Sequence, residues 1–260
     1  MVCWKGGRSM RQLVRYIKAD VMKTRRLGVR RAHGLVPAGT AAVFLTYYAF
    51  APWNPVSKLE AYFQVLGVAL PILLGVFSAI AVEQETASGG LQNMLSVPCR
   101  AVSFISKLLQ LLVFEAAAIF MASAMFGAGN ICLLGRTEAG FWVYWMAGMV
   151  LFVSSISLYT WHLFLSLRFG KGISVGLGIM ESLVSALLLT GLGTYIWVYV
   201  PCAWISRFPG LYLQKYLGIL DPISEVRGKT AAAVCVGFTI LSLLAGVLWF
   251  SRWDGRKIND

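Results

Sequence analysis

The amino-acid sequence predicts an all-α integral membrane protein with six transmembrane helices, and three observations carry the prediction. Of 260 residues, 58% are hydrophobic and only 13% are charged, a balance too apolar for a soluble domain. Six apolar runs are of the order of the ~20 residues that cross about 30 Å of hydrocarbon: Leu35 to Ala51, Ala61 to Ala81, Ser103 to Phe126, Phe141 to Leu167, Ile173 to Val200 and Ala231 to Phe250. Aromatic residues mark interfaces, with Trp142 and Trp145 opening the fourth run, Trp197 and Tyr199 closing the fifth, and Trp249 and Trp253 closing the sixth. The basic residues supply the orientation. Ten of the 23 precede the first run, and six crossings gather 17 on that side against 6 on the other. That asymmetry puts both termini in the cytoplasm. The net charge of +12 is accordingly read as attraction to lipid headgroups, with no nucleic acid as partner.

Residues 1–33 form a basic cytoplasmic segment, and residues 34–260 a single transmembrane domain. In the first, Met10, Leu13, Val14, Ile17, Val21 and Met22 recur at helical spacing among lysines and arginines. This predicts an amphipathic interfacial helix over Ser9 to Leu27, lying in the inner headgroup layer. Met10 is an alternative start, and the segment lacks the apolar core of a cleaved signal peptide. The connection at Pro52 to Pro55 is short.

Val82 to Lys107 is the longest polar interruption in the first half. Glu83 and Glu85 open it, Gly89 and Gly90 punctuate it, and Leu91, Met94, Leu95 and Val97 give a turn with one apolar face. Pro98 ends the turn, because proline lacks the donor and disfavours helix in the preceding residue. Arg100 and Lys107 stand where the third span enters the membrane. The stretch is read as a short amphipathic helix, about residues 83–98, lying along the cytoplasmic face and offered to a partner outside the bilayer.

The connection Ala128 to Gly140 is small and glycine-rich. Pro201 to Thr230, by contrast, carries aromatics and leucines between Pro201, Pro209 and Pro222, too polar to span and too apolar to be free loop. Short re-entrant or interfacial helices on the outer face, capping the fifth span, are expected there. Three ionisable groups fall inside spans, where they are costly and mark candidate sites: Glu115 mid-way along the third, His162 in the fourth and Glu181 in the fifth. At ~1.5 Å per residue His162 and Glu181 reach similar depth, so a hydrogen bond tying adjacent helices is weighed against a polar lining for a cationic amphiphile. Gly170, Gly172, Gly176 and Gly178 allow close helix approach, with GxxxG at Gly172 and Gly176. Among five cysteines there is no metal-ligand spacing. Cys132 and Cys202 fall in outer connections, leaving open a bridge or two unpaired small hydrophobes.

Several chemistries are missing. Gly228-Lys229-Thr230 imitates the end of a phosphate-binding loop, but position 223 is isoleucine, so GxxxxGK[ST] does not occur. No HExxH and no GxSxG are present. The expectation is a chain that is not itself an enzyme, holds no metal or cofactor, and depends on a partner for ATP hydrolysis.

The acidic, glycine-containing turn followed by Pro98, Arg100 and Lys107 resembles the coupling-helix region of ABC-2 type exporter permeases. Glu83, Glu85, Gly89 or Gly90, Leu95, Pro98, Arg100 and Lys107 lie on that pattern, with Leu91 and Met94 on the same turn, and Arg100 follows Pro98 more closely than usual. Lys18, Lys23, Thr24, Arg25, Arg26, His33 and Pro37 at the start resemble the lantibiotic-immunity subfamily. So does Leu163 to Arg207, through Phe169, Gly170, Gly176, Gly178, Trp197, Pro201, Trp204 and Arg207, with Cys202 departing from the usual aromatic. The resemblance implies a bacterial cytoplasmic-membrane permease that pairs with a second, similar permease. It also implies two copies of a nucleotide-binding ATPase, which bind the ATP and magnesium, and a lantibiotic-type peptide as substrate, expelled or stripped from the membrane. Alternatives are an ABC-2 permease for another antibiotic or lipid-like compound, a non-transporting scaffold, and an intramembrane protease. The last needs EExxxR, and Glu83-Gln84-Glu85 breaks that motif.

Overall fold

The computed structural model describes residues 28–136 and 138–255, and every regular element among them is helical. The amphipathic helix predicted over Ser9 to Leu27 lies outside these residues, as do ten of the seventeen basic residues on which the orientation rests. Eight α-helices are described: α1 Gly28–Phe50, α2 Pro55–Ala87, α3 Gln92–Leu95, α4 Arg100–Ala128, α5 Phe141–Phe169, α6 Lys171–Leu189, α7 Pro201–Tyr216 and α8 Pro222–Arg252. Five helical stretches are long and apolar enough to cross a membrane: α2, α4 with its π-turn extension to Leu133, α5, α6 and α8. The chain is a multi-pass membrane protein, all-helical among the described residues. Helix α1 does form over the first apolar run, but His33, Pro37, Thr40, Thr46, Tyr47 and Tyr48 dilute it, and it is not among the five.

Helix α2 is the central strut. Asn54 caps it by accepting the Val56 N–H at 2.8 Å, and Pro55 fits the first turn, where the missing donor is not needed. Gly67, Pro71 and Gly75 recur at every fourth residue and form one bare stripe. A Cβ on Gly67 would lie 2.5 Å from Ser206 Cα, and one on Gly75 would lie 2.7 Å from the Ser174 carbonyl oxygen. From the other side, a Cβ on Gly178 would lie 2.6 Å from the Pro71 carbonyl oxygen. Helices α6 and α7 therefore meet α2 backbone to backbone, the close approach that drives association where lipid is as apolar as the side chains. The expected GxxxG pair is not the contact, because Gly172 and Gly176 have open space around them. Ser174 and Gly178 occupy the matching register instead.

The fifth apolar run is not one continuous span. Helix α6 stops at Leu189, and the chain then folds back through short 3-10 turns at Gly191–Gly193 and Trp197–Tyr199. Helix α7 begins at depth, with Cys202 in the cluster of Leu70 and Leu74, and ends with Leu213 against Leu59 and Tyr62. Thr190, Gly191, Gly193 and Thr194 break the helix. After them Trp197, Val198, Cys202 and Trp204 are buried by protein, while Tyr195, Ile196 and Tyr199 stay exposed, so the apolar run is covered only in part. Expected boundaries in the outer segment also shift. Pro209 lies inside α7, and Pro222 to Thr230 belongs to α8. Asp221 caps α8 by accepting the Ser224 N–H at 2.9 Å, and Ser224 holds this carboxyl below its usual range.

Two connections are tightly built. Gly170 alone joins α5 to α6, at φ 99°, a conformation that disfavours any side chain. Near the start of α2, buried Lys58 donates to the Tyr48 and Ala51 carbonyls at 2.9 and 2.6 Å, satisfying the end of α1. Tyr62 and Phe126 stack there with centroids 3.6 Å apart. Leu91, Met94, Phe104, Phe250 and Trp253 pack at the opposite end. Cys132, exposed, and Cys202, buried, are both free, so the possible bridge is not formed.

Gly67→Val is expected to lower thermal stability in detergent by about 2 kcal/mol or more through overpacking, while Gly172→Ala, in open space, leaves it unchanged. Equal melting of the two variants would contradict the backbone contact.

Candidate functional site

Two polar constellations stand out, one at the end where α2 meets α3 and one within the bundle. At the first, Gly89, Gly90 and Leu91 follow one another with φ of 150°, 59° and 70°. For leucine this left-handed conformation costs roughly 1–2 kcal/mol. Burial of Leu91 and Met94 in the core offsets it. The apolar face of α3 is thus turned inward, with Leu95 partly buried against the same core, and is not the surface presented outward. A helix of four residues cannot hold itself together, so its apolar face is needed as an anchor. Exposed on the turn are Gly89, Gly90, Gln92, Asn93, Ser96 and Pro98. Gln92 and Asn93 were not among the sequence candidates, since polarity on a turn is an unspecific signal.

The two acids of this end have different roles. Glu85 is buried, and its Oε1 accepts from Lys107 Nζ at 2.8 Å, with Gln110 Oε1 3.3 Å from the same ammonium. Glu83 is exposed and pairs with Lys171 at the start of α6, at 2.7 Å. Because residues two apart on a helix point to different sides, α2 ties its end to α4 through one acid and to α6 through the other. Arg100 donates to the Leu95 carbonyl at 3.1 Å, the Trp253 carbonyl at 2.8 Å and Asp254 at 2.9 Å. It thereby fastens the turn to the end of α8.

Within the bundle, His162 Nε2 lies 2.8 Å from Glu181 Oε2, and its Nδ1 lies 3.1 Å from Ser174 Oγ. Ser174 Oγ is also 3.3 Å from the Gly75 and His162 carbonyls. Serine, histidine and glutamate together invite comparison with a hydrolytic triad. The serine hydroxyl is fully buried at the α2–α6 contact, however, and no substrate can reach it. The network links α2, α5 and α6. Glu181 keeps a partly exposed edge. Glu115 stands apart from this network: its carboxylate is buried, with Ser155 and Tyr159 of α5 as its polar neighbours.

The outer residues Trp197, Pro201, Trp204 and Arg207 come together to hold the fold-back. Arg207 donates to the Leu188 carbonyl and lies 5.3 Å from the Trp197 ring centroid. Trp204 Nε1 donates to the Val198 carbonyl at 2.9 Å, and Pro201 starts α7. Among the described residues no cluster of three or more His, Cys, Asp or Glu is arranged to hold a metal ion.

Breaking the buried pair removes its 2.8 Å ion-pair contact, so Lys107→Met is expected to lower stability by up to about 3–5 kcal/mol. The double change Glu85→Leu with Lys107→Met should recover most of it in thermal unfolding. A double variant no more stable than the single would show that the pair's charges do not oppose each other as described.

No known family profile matches this chain. Among curated proteins it is similar to heme exporter protein C of Bradyrhizobium diazoefficiens, at 36% identity over 72 residues. The match covers 24% of this chain, and the chain spans about a quarter (27%) of that protein's length.

Proposed function

We propose that the chain is a membrane permease subunit of an ATP-driven exporter, of the ABC-2 type, which protects a bacterium by expelling or stripping a lantibiotic-type peptide from its cytoplasmic membrane. The observation that carries this reading is the turn over residues 86–98. It is strained, exposed along its polar crest, and fastened to α4, α6 and α8 by Glu85, Glu83 and Arg100. A partner pressing on Gln92 and Asn93 would load those helices at once, which is what coupling to nucleotide-driven motion requires. Two copies of an ATPase holding ATP and magnesium, and a second similar permease, complete the proposed complex. The coupling contacts proposed first from Leu91, Met94 and Leu95 move to the polar crest, because those side chains face inward.

In this arrangement α1 serves as the sixth span beside α4, the basic N-terminal segment lies on the cytoplasmic face, and both termini are cytoplasmic. The fold-back before α7 then caps the outer half of the bundle, as the re-entrant segment of such a permease does. The partial likeness to a protein named as an exporter supports membrane transport as the class of function. Its named cargo is not carried over to this chain, since the likeness covers only a fraction of either protein.

Affinity purification of the chain from its native membrane should bring down an ATPase and a second permease. Asn93→Arg, on the crest, should reduce ATPase recovery and peptide resistance about tenfold while leaving the melting temperature unchanged. Full resistance and ATPase recovery in that variant would overturn the coupling assignment.

A further inference from the structure

Glu181 opens onto a cavity of about 280 Å³ between α5, α6, α7 and α8, lined among others by Leu158, Trp161, Met180, Cys202 and Phe238. That volume falls just below the roughly 300–1,000 Å³ of small-molecule sites, enough for one small group. Trp161 and Met180 are exposed on the outside of the bundle, so the mouth opens sideways, at the depth where α7 begins. Among the described residues no lysine or arginine lines it.

His162 takes one carboxylate oxygen of Glu181. Its other ring nitrogen, Nδ1, lies 3.1 Å from Ser174 Oγ, so the ring that faces Glu181 is held in place from behind. A carboxylate facing an apolar, aromatic cavity inside a membrane is costly without a counter-charge. A cation with an apolar body removes that cost, and Trp161 and Phe238 are aromatic lining residues suited to cation–π attraction.

We propose that this cavity binds the ammonium group of a small amphiphilic cation, or of a cationic side chain on a larger one, entering laterally from the bilayer. Glu181 is the ligand to the cation and His162 the positioning residue. Only the fate of the bound cation rests on the exporter reading; binding is a property of the chain itself.

The test is equilibrium dialysis of phenethylammonium, and of the neutral phenethyl alcohol, against the full chain in zwitterionic nanodiscs, with empty nanodiscs subtracted. The parent should bind the ammonium at least about tenfold more tightly than the alcohol. Glu181→Gln should erase the preference. Met180→Trp, a surface change that closes the mouth without touching the core, should remove binding of both probes. Equal binding of the two probes by the parent overturns the proposal, as does a preference that survives Glu181→Gln. Should Glu181→Gln fail to assemble, unaltered binding in Met180→Trp overturns it. A chain that binds ammonium but recovers no ATPase keeps this site and removes the exporter reading; the reverse removes this site alone.

Discussion

The contact on which the bundle depends is the bare stripe of α2 at Gly67, Pro71 and Gly75. In water, burying apolar side chains would suffice to hold helices together; in hydrocarbon that drive is absent, and what remains is contact distance and satisfied polar groups. The stripe supplies both. It lets the α6 and α7 backbones approach without intervening side chains, and it brings the Ser174 hydroxyl to the Gly75 carbonyl. Since Ser174 also meets His162, the polar network in the bundle is positioned by the same small residues that set the packing.

Much of this was legible in the sequence, and what was not has physical causes. Long apolar runs located α4 and α5 to within three residues because hydrocarbon thickness leaves little freedom, whereas α2 extends six residues past its run at both ends and α8 starts nine residues early, at Pro222. The depth match of His162 and Glu181 could be counted from helical rise alone. The fifth run misled because apolarity reports exclusion from water and is indifferent to whether lipid or protein does the excluding. Thr190, Gly191, Gly193 and Thr194 were the available sign of a break. The packing stripe could have been found from the four-residue recurrence of Gly67, Pro71 and Gly75, whereas the glycines at 172 and 176 drew attention by motif alone. The inward face of α3 was hidden because amphipathicity gives a direction only relative to something else. A four-residue helix spends its apolar face on staying attached.

Charge is used sparingly and in graded settings. Exposed Glu83 and Lys171 contribute little individually. Buried Glu85 and Lys107 are strongly dependent on each other, and Glu181 lies between these extremes, held on one side and open on the other. The first two pairs brace helices. The third leaves a charge with room beside it, and that difference in completeness separates a structural pair from a binding group.

The one-residue link at Gly170 has a consequence for how such a bundle can move. With no slack between them, α5 and α6 cannot slide past each other by a turn, so their shared end behaves as a pivot and the distance between their far ends is the free coordinate. The His162–Glu181 contact lies partway along the arms of this hairpin, like the rivet of a pair of tongs. Any opening is therefore felt first beyond it, where α6 gives way to the fold-back and α7.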